Sequence, residues 1–322
     1  MNSLPAPAPP SPAAAPQQRR AERHPYATEA PLPVRLTLQA TPPTGLRYAQ
    51  TSFWEARHTG RVQRTTIEKS LTLHYLSAGA QPARLTCLTD PPVLRKPDLT
   101  AFEKAVLALA ALYQHLELDV APTGYLLALR NHADLLRTWQ TVEQELVRRS
   151  GGDDDVTQAL RESVTGLLQD PATVVASLRL DYAFNWLLPD FYGQRFEGNW
   201  RYMQPRCFTR FFAATDLWVE ERLELGPAPA ATQATLHLRG QLDPARTDLV
   251  AVARQIDDER VAAGAPDAPA TDPAAVRAEY EATYLLDVAT GWPVALDASV
   301  RCQVGTDYQK ECFFRLEQVP AL

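Results

Sequence analysis

Residues 276–304 constrain the fold most tightly. Val276, Ala278, Tyr280, Ala282, Tyr284 and Leu286 alternate with Arg277, Glu279, Glu281 and Thr283. Beyond the turn DVATGWP, Val294, Leu296, Ala298, Val300, Cys302 and Val304 alternate with Asp297, Ser299, Arg301 and Gln303. Successive side chains on a strand point to opposite faces, so this period of two gives each segment one apolar and one polar face. A second turn, GTD, leads into YQKECFFRLEQV. The three segments predict an antiparallel meander of long strands. Its apolar face needs a cover from elsewhere in the chain.

The same alternation opens the folded part. Val34, Leu36 and Leu38 alternate with Arg35, Thr37 and Gln39, and Leu46, Tyr48 and Trp54 fall in another extended run. Ile67, Leu71, Leu73 and Tyr75 share one face of a long strand, with Thr66, Glu68, Ser70 and Thr72 on the other, and ARLTCL follows. Leu217, Val219, Leu223 and Leu225, then Leu236 and Leu238, mark strands in the second half.

Between these lie helical patterns. Asp98 is placed to cap a helix carrying Phe102, Val106, Leu109, Tyr113 and Leu116, which the stretch Asp119 to Gly124 breaks. GYLLALRN reads as a short buried strand. Asn131 is placed to cap a helix with the stripe Leu135, Trp139, Val142 and Leu146, and Asp153 to Asp155 open another with Val156, Leu160, Val164 and Leu167. Asp170-Pro171 is a cap followed by proline at the first helical position, starting a helix that runs to Leu188 and stops at Pro189. Asp243-Pro244 starts a later one carrying Leu249, Val252 and Ile256.

Strands, helices, strands in that order predict an α+β protein, with long, curved antiparallel sheet at both ends of the chain packed on a central group of helices. Residues 1–32 are Pro/Ala-rich without apolar periodicity and read as a disordered tail, closed by Arg19, Arg20, Arg23 and His24. Residues 33–322 read as one intertwined unit with a possible sub-boundary near 125–200.

Charge and motifs narrow the function. The net charge of -6 offers no broad basic field for phosphate backbones, so no nucleic-acid partner is expected. No run of about 18 apolar residues appears, hence no transmembrane helix. The N-terminus lacks a basic head followed by an apolar stretch, which gives a bacterial cytoplasmic location as the expectation. Cys87, Cys207, Cys302 and Cys312 are scattered without metal-ligand spacing and read as small buried thiols. The phosphate loops G-x-x-x-x-G-K-[ST] and G-x-G-x-x-G, the nucleophile elbow and H-E-x-x-H are absent, and the six histidines never fall at i, i+2 or i, i+4. No catalytic residue, metal or cofactor is assigned. Glu220 and Glu221 adjoin on a strand, so they point to opposite faces and form no acid–base pair. In DVATGWP, Asp287 is expected to bond forward to backbone amides, Gly291 to take positive φ, and Pro293 to fix the exit.

One stretch stands apart. Twelve of the 27 aromatic residues lie between Tyr182 and Trp218. Tyr182 and Trp186 share a helical stripe and read as core. Beyond Pro189, Phe191, Tyr192, Phe196, Trp200 and Tyr202 follow no single period, with Asp190, Arg195, Glu197 and Arg201 among them. The segment reads as a hydrophobic plug over the sheet, or as the mouth of a site for a ring-bearing or lipidic ligand or a partner's side chain.

Long antiparallel strands around helices are similar in architecture to the half-barrel carriers of bacterial envelopes, which bind lipids or lipoproteins; the likeness covers no shared motif. The functional expectation is a non-catalytic binding or assembly component that meets another protein or an apolar small molecule through its aromatic residues. A carrier with an apolar cavity is the alternative, and an enzyme with a dispersed acid/base site the second.

Overall fold

A computed structural model describes residues 34–58, 61–76, 82–96, 98–150, 155–189, 191–196, 201–212, 215–227, 229–266 and 268–320. The tail assigned to residues 1–32 lies outside them. The first half of the chain contains β1 (Val34–Arg35), β2 (Leu46–His58), β3 (Arg61–Leu76), β4 (Ala83–Thr89), β5 (Val93–Leu94), α1 (Ala101–Leu109), β6 (His115–Val120), β7 (Leu126–Leu129) and α2 (His132–Ser150). Then come α3 (Asp155–Leu168), α4 (Pro171–Leu180), α5 (Tyr182–Leu187), β8 (Arg195–Phe196), β9 (Arg201–Phe212), β10 (Thr215–Gly226) and β11 (Gln233–Leu242). The chain closes with α6 (Leu249–Ala262), β12 (Val276–Asp287), β13 (Pro293–Val304) and β14 (Tyr308–Gln318).

The fold is α+β, with a large antiparallel sheet of twelve strands and six α-helices among the described residues. Strand order is β7-β6-β4-β3-β2-β14-β13-β12-β11-β10-β9, with β5 paired to β3 off this path. The two strand-rich portions of the chain form one sheet. β14 joins them by pairing with β2 from Tyr308–His58 to Gln318–Tyr48. β1 and β8 make a separate ribbon, Val34 opposite Phe196.

The meander has the register that its alternation predicts. Val276, Ala278, Tyr280, Ala282, Tyr284 and Leu286 are all buried, and Tyr280 faces Val300 across β12 and β13. The turn between them also behaves as read. Asp287 Oδ1 accepts from the Thr290 amide at 2.8 Å. Gly291 has φ +75°, and a Cβ there would stand 2.4 Å from the Thr37 carbonyl oxygen. Only glycine fits that close backbone approach.

The helical region departs from expectation in several places. Thr100, not Asp98, caps α1, in a capping box with Glu103. The helix then ends: a 3-10 turn spans Ala110–Tyr113, and Leu116, assigned to the helical stripe, lies on β6. Leu116, Leu118 and Val120 point inward there, since their period of two outweighs the chance helical spacing of Leu116 from Tyr113. Asn131, expected to cap α2, spends its side chain on β6 instead, accepting from Glu117 N and donating to His115 O, each at 2.9 Å. The stripe Leu135, Trp139, Val142 and Leu146 is buried. The helix begun by Asp170-Pro171 does not run unbroken to Leu188. Asp181 leaves the helical conformation at ψ 135° and its carboxylate caps a new helix, α5, at Ala183 N and Phe184 N. Likewise α6 starts at Asp248, which accepts from Ala251 N, while Asp243 holds only a turn.

β9 is an edge strand that alternation does not reveal. Pro205 cannot donate to a ladder, which an edge tolerates, and Arg206 stands where an apolar residue would mark the inward face. Part of the free edge is covered by α4 and α5. Thr209 Oγ1 donates to Leu180 O and Tyr182 Oη to Thr209 O, both at 3.2 Å. Such cover limits strand addition by other chains.

Val300 is fully buried, whereas Ser299 faces the other side of the sheet. Val300→Asp is expected to lower unfolding stability by about 3 kcal/mol or more in urea titrations, and Ser299→Asp to change it by under about 0.5 kcal/mol. Equal losses would refute this register.

Candidate functional site

Three of the cavities among the described residues bear on function. The first, of 380 Å³, sits between the inward face of β2, β3 and β14 and the helices α1, α4 and α5. Period two places Trp54 of β2, Ile67 and Leu71 of β3, and Cys312 and Phe314 of β14 on its floor. Val106 and Leu107 of α1, Ala110 and Tyr113 close one side. Leu178, Tyr182, Phe184 and Trp186 close the other.

The aromatic residues upstream of Pro189 build this second wall. Trp186 is 1% exposed and packs its ring 5.0 Å from Phe314, while Tyr182 meets Trp54 edge-on at 5.4 Å. Tyr284 Oη donates to the Trp186 carbonyl at 2.8 Å, fixing α5 to β12. Burial pushes the Tyr182 hydroxyl well above its ordinary range, so it stays neutral.

Beside the small hydroxyl of Ser52, two long polar side chains interrupt the apolar floor. Gln50 and Lys69 are direct cross-strand partners on β2 and β3, and both line the cavity. Gln50 is 6% exposed, and its Oε1 has no hydrogen-bond partner. Lys69 is half-buried, and among the described residues no hydrogen bond or ion pair holds its ammonium. Its charge reaches inward: burial pushes the Cys87 thiol up to about 12, and Lys69 opposes that rise. Asp181, also on the wall, is exposed and occupied in capping α5.

The residues singled out beyond Pro189 do not line this cavity. Phe191, Tyr192 and Phe196 are buried, at 2%, 0% and 0% exposure, with Phe191 edge-on to Tyr284 at 5.3 Å. Arg195 is exposed on the β1–β8 ribbon. Arg201 and Tyr202 begin β9 opposite Glu224 and Leu223. Asp190, Glu197 and Trp200 lie outside the described residues.

The second cavity, of 270 Å³, is lined by Arg179 and Arg206, both of which hydrogen-bond to the protein itself. Arg179 donates to Leu126 O at 2.9 and 2.6 Å. Arg206 pairs with Glu221, a buried carboxylate in an inward slot between Val219 and Leu223, while Glu220 is exposed. Gln204 Nε2 donates to the same carboxylate at 2.7 Å, and Arg206 Nη1 reaches Asn185 of α5 at its carbonyl and its side-chain oxygen. Burial disfavours the Arg206 charge, but the Glu221 carboxylate outweighs it and raises the guanidinium's pKa. The third cavity, of 710 Å³, is a depression beside α6 walled by the exposed Gln241, Pro244, Arg277 and Glu279.

A cluster at the α6 contact is the nearest approach to an acid–base site. Glu259 accepts from Tyr308 Oη at 2.9 Å and from Lys310 Nζ at 2.5 Å, and the His58 ring lies edge-on to Tyr308 at 5.1 Å. Burial lowers the His58 pKa ahead of the opposing Glu259 charge. These groups line none of the three cavities; they fasten α6 to β14.

No protein-family model matches the chain, and no curated protein matches it in sequence.

The Arg206–Glu221 pair supports the α5 wall, and removing one partner strands the other's charge in the interior. Arg206→Met should cost about 3–5 kcal/mol in denaturant unfolding, whereas Arg206→Met with Glu221→Leu should recover most of it. A single substitution within about 1 kcal/mol of the parent would show that the pair is dispensable.

Proposed function

We propose that this chain is a non-catalytic binding protein that carries an apolar ligand in the cavity between β2, β3, β14 and helices α1, α4 and α5. The observation that carries the reading is the 380 Å³ space lined chiefly by Trp54, Leu71, Leu107, Phe184 and Phe314. Its volume falls within the range of small-molecule sites, and its walls are apolar with few polar groups, as in such sites generally. In this reading the long antiparallel sheet curves around the helices as a half-barrel, and the aromatic residues of α5 serve as wall.

The chemistry of the walls favours binding over catalysis. Among the described residues the one carboxylate on the wall, Asp181, accepts from two helix amides. The groups that do combine His, Glu and Lys lie at the α6 contact, away from these walls. An assembly role through the aromatic segment is less favoured, since Phe191, Tyr192 and Phe196 are turned inward.

The neutral dye N-phenyl-1-naphthylamine tests this directly. Its fluorescence should rise on binding one site per chain, and straight-chain alcohols should displace it. Each added methylene from octanol to dodecanol should tighten displacement about fourfold, from about 0.8 kcal/mol per buried CH2. Ala110→Phe, which fills the cavity, should weaken dye binding at least about tenfold while the protein stays folded. Absence of dye binding, or displacement indifferent to chain length, would contradict a carrier.

A further inference from the structure

The floor of the cavity carries a polar pair that an apolar ligand alone would leave unanswered. Tyr48, Gln50, Ser52 and Trp54 are successive inward positions of β2, and Ile67, Lys69 and Leu71 those of β3. Gln50 and Lys69 face each other at the same level of the two strands. Lys69 is half-buried, and an ammonium beside apolar walls attracts an anionic group more strongly than one in open water. Lys69 has neither ion pair nor hydrogen bond among the described residues, although Glu68 and Arg95 pair on the opposite face of β3 at 2.7 Å. The two side chains are neighbours on the cavity floor, and of the two it is the Lys69 ammonium, a donor with a full charge, that is complementary to an anionic ligand end.

We infer that the ligand is a single-chain amphiphile with a carboxylate head, which Lys69 and Gln50 bind at the floor while its chain lies against Leu107, Phe184 and Phe314. This rests on the binding reading above and names the ligand class for the same cavity. Lys69 supplies the counter-charge as a compact ammonium. Gln50 presents an amide whose oxygen and nitrogen ends are exchangeable by a flip of the side chain, so it donates to a carboxylate oxygen through its NH2. A single cation suits a monoanion. No arginine lines the cavity among the described residues, so the bidentate fork that phosphate heads favour is missing. Asp181 stands on the helical wall, exposed and bound to its cap, across from the floor strands.

The test is displacement of N-phenyl-1-naphthylamine from the full chain at pH 8, where an alkanoate is ionised. Dodecanoate, dodecanol and dodecyltrimethylammonium share a chain and differ in head charge. In the parent protein dodecanoate should displace the dye at least about tenfold more tightly than dodecanol, and the cationic analogue should be weaker than the alcohol. Lys69→Met should abolish the preference, the ratio of dodecanoate to dodecanol affinity falling to about one; Lys69→Arg should restore a preference for the anion. Thermal melts of both variants establish that they are folded, and Lys69→Gln serves in place of Lys69→Met if that variant is not. Equal affinity for dodecanoate and dodecanol in the parent would overturn the head-group assignment and leave the cavity reading standing. So would an anion preference that survives Lys69→Met, or dodecyl phosphate binding tenfold tighter than dodecanoate. Failure of the dye, the alcohol and the anion alike would remove the cavity reading itself.

Discussion

The buried pairing of Arg206 with Glu221 is the interaction on which the arrangement of this molecule turns. Glu221 is fully enclosed at an inward position of β10, where its neighbours in the row are Val219 and Leu223. A lone carboxylate there would be expelled or neutralised. Arg206, on the neighbouring edge strand, answers the charge and extends past it to Asn185 of α5. One guanidinium thus holds together the two strands at the edge of the sheet and the short helix above them. Tyr284 adds a second tie to α5 through the Trp186 carbonyl. A six-residue helix has little stability of its own. Its position depends on these tertiary bonds and on the burial of Trp186 and Leu187.

With α5 held in this way, the cavity follows from shape. Trp186 stands against Phe314, and Tyr182 against Trp54 and Phe208. Large rings at these points stop the helix from settling further onto β2 and β3. On the other side α1 ends early, in the 3-10 turn Ala110–Tyr113, and Ala110 leaves room where a larger side chain would not. A space of 380 Å³ is thereby left between the two walls.

Much of the frame is legible in the sequence because burial is one-sided. The strict alternation of β12 and β13, the stripe of α2 and the Asp170-Pro171 cap each report one local rule obeyed without interference. The illegible parts are those where a second constraint overrides the pattern. β9 hides because Pro205 and Arg206 serve an edge and an ion pair. β6 hides because Leu116 falls at helical spacing from Tyr113. Asp181 reads as a residue within a helix, although its carboxylate ends one helix and starts the next. The site itself is legible only in part. The aromatic density around Trp186 marks the right neighbourhood, but the cavity lies upstream of Pro189, against strands far away in sequence. A signal for its polar pair does exist: Gln50 follows the apolar Leu46 and Tyr48 in the inward row of β2, and Lys69 precedes the apolar Leu71 and Leu73 in that of β3. A single such residue in a row reads as a surface fluctuation; its cross-strand partner is visible only once the register of β2 and β3 is known.

In the proposed function, the space between α1, α5 and the floor of β2, β3 and β14 receives an apolar chain. Crystals of the protein grown with 12-bromododecanol test it most directly, because anomalous scattering locates bromine independently of the protein's own atoms. The account predicts one bromine peak per molecule, inside the cavity bounded by Leu107, Phe184 and Phe314. A cavity free of bromine, with any peaks confined to the outer surface, would contradict it.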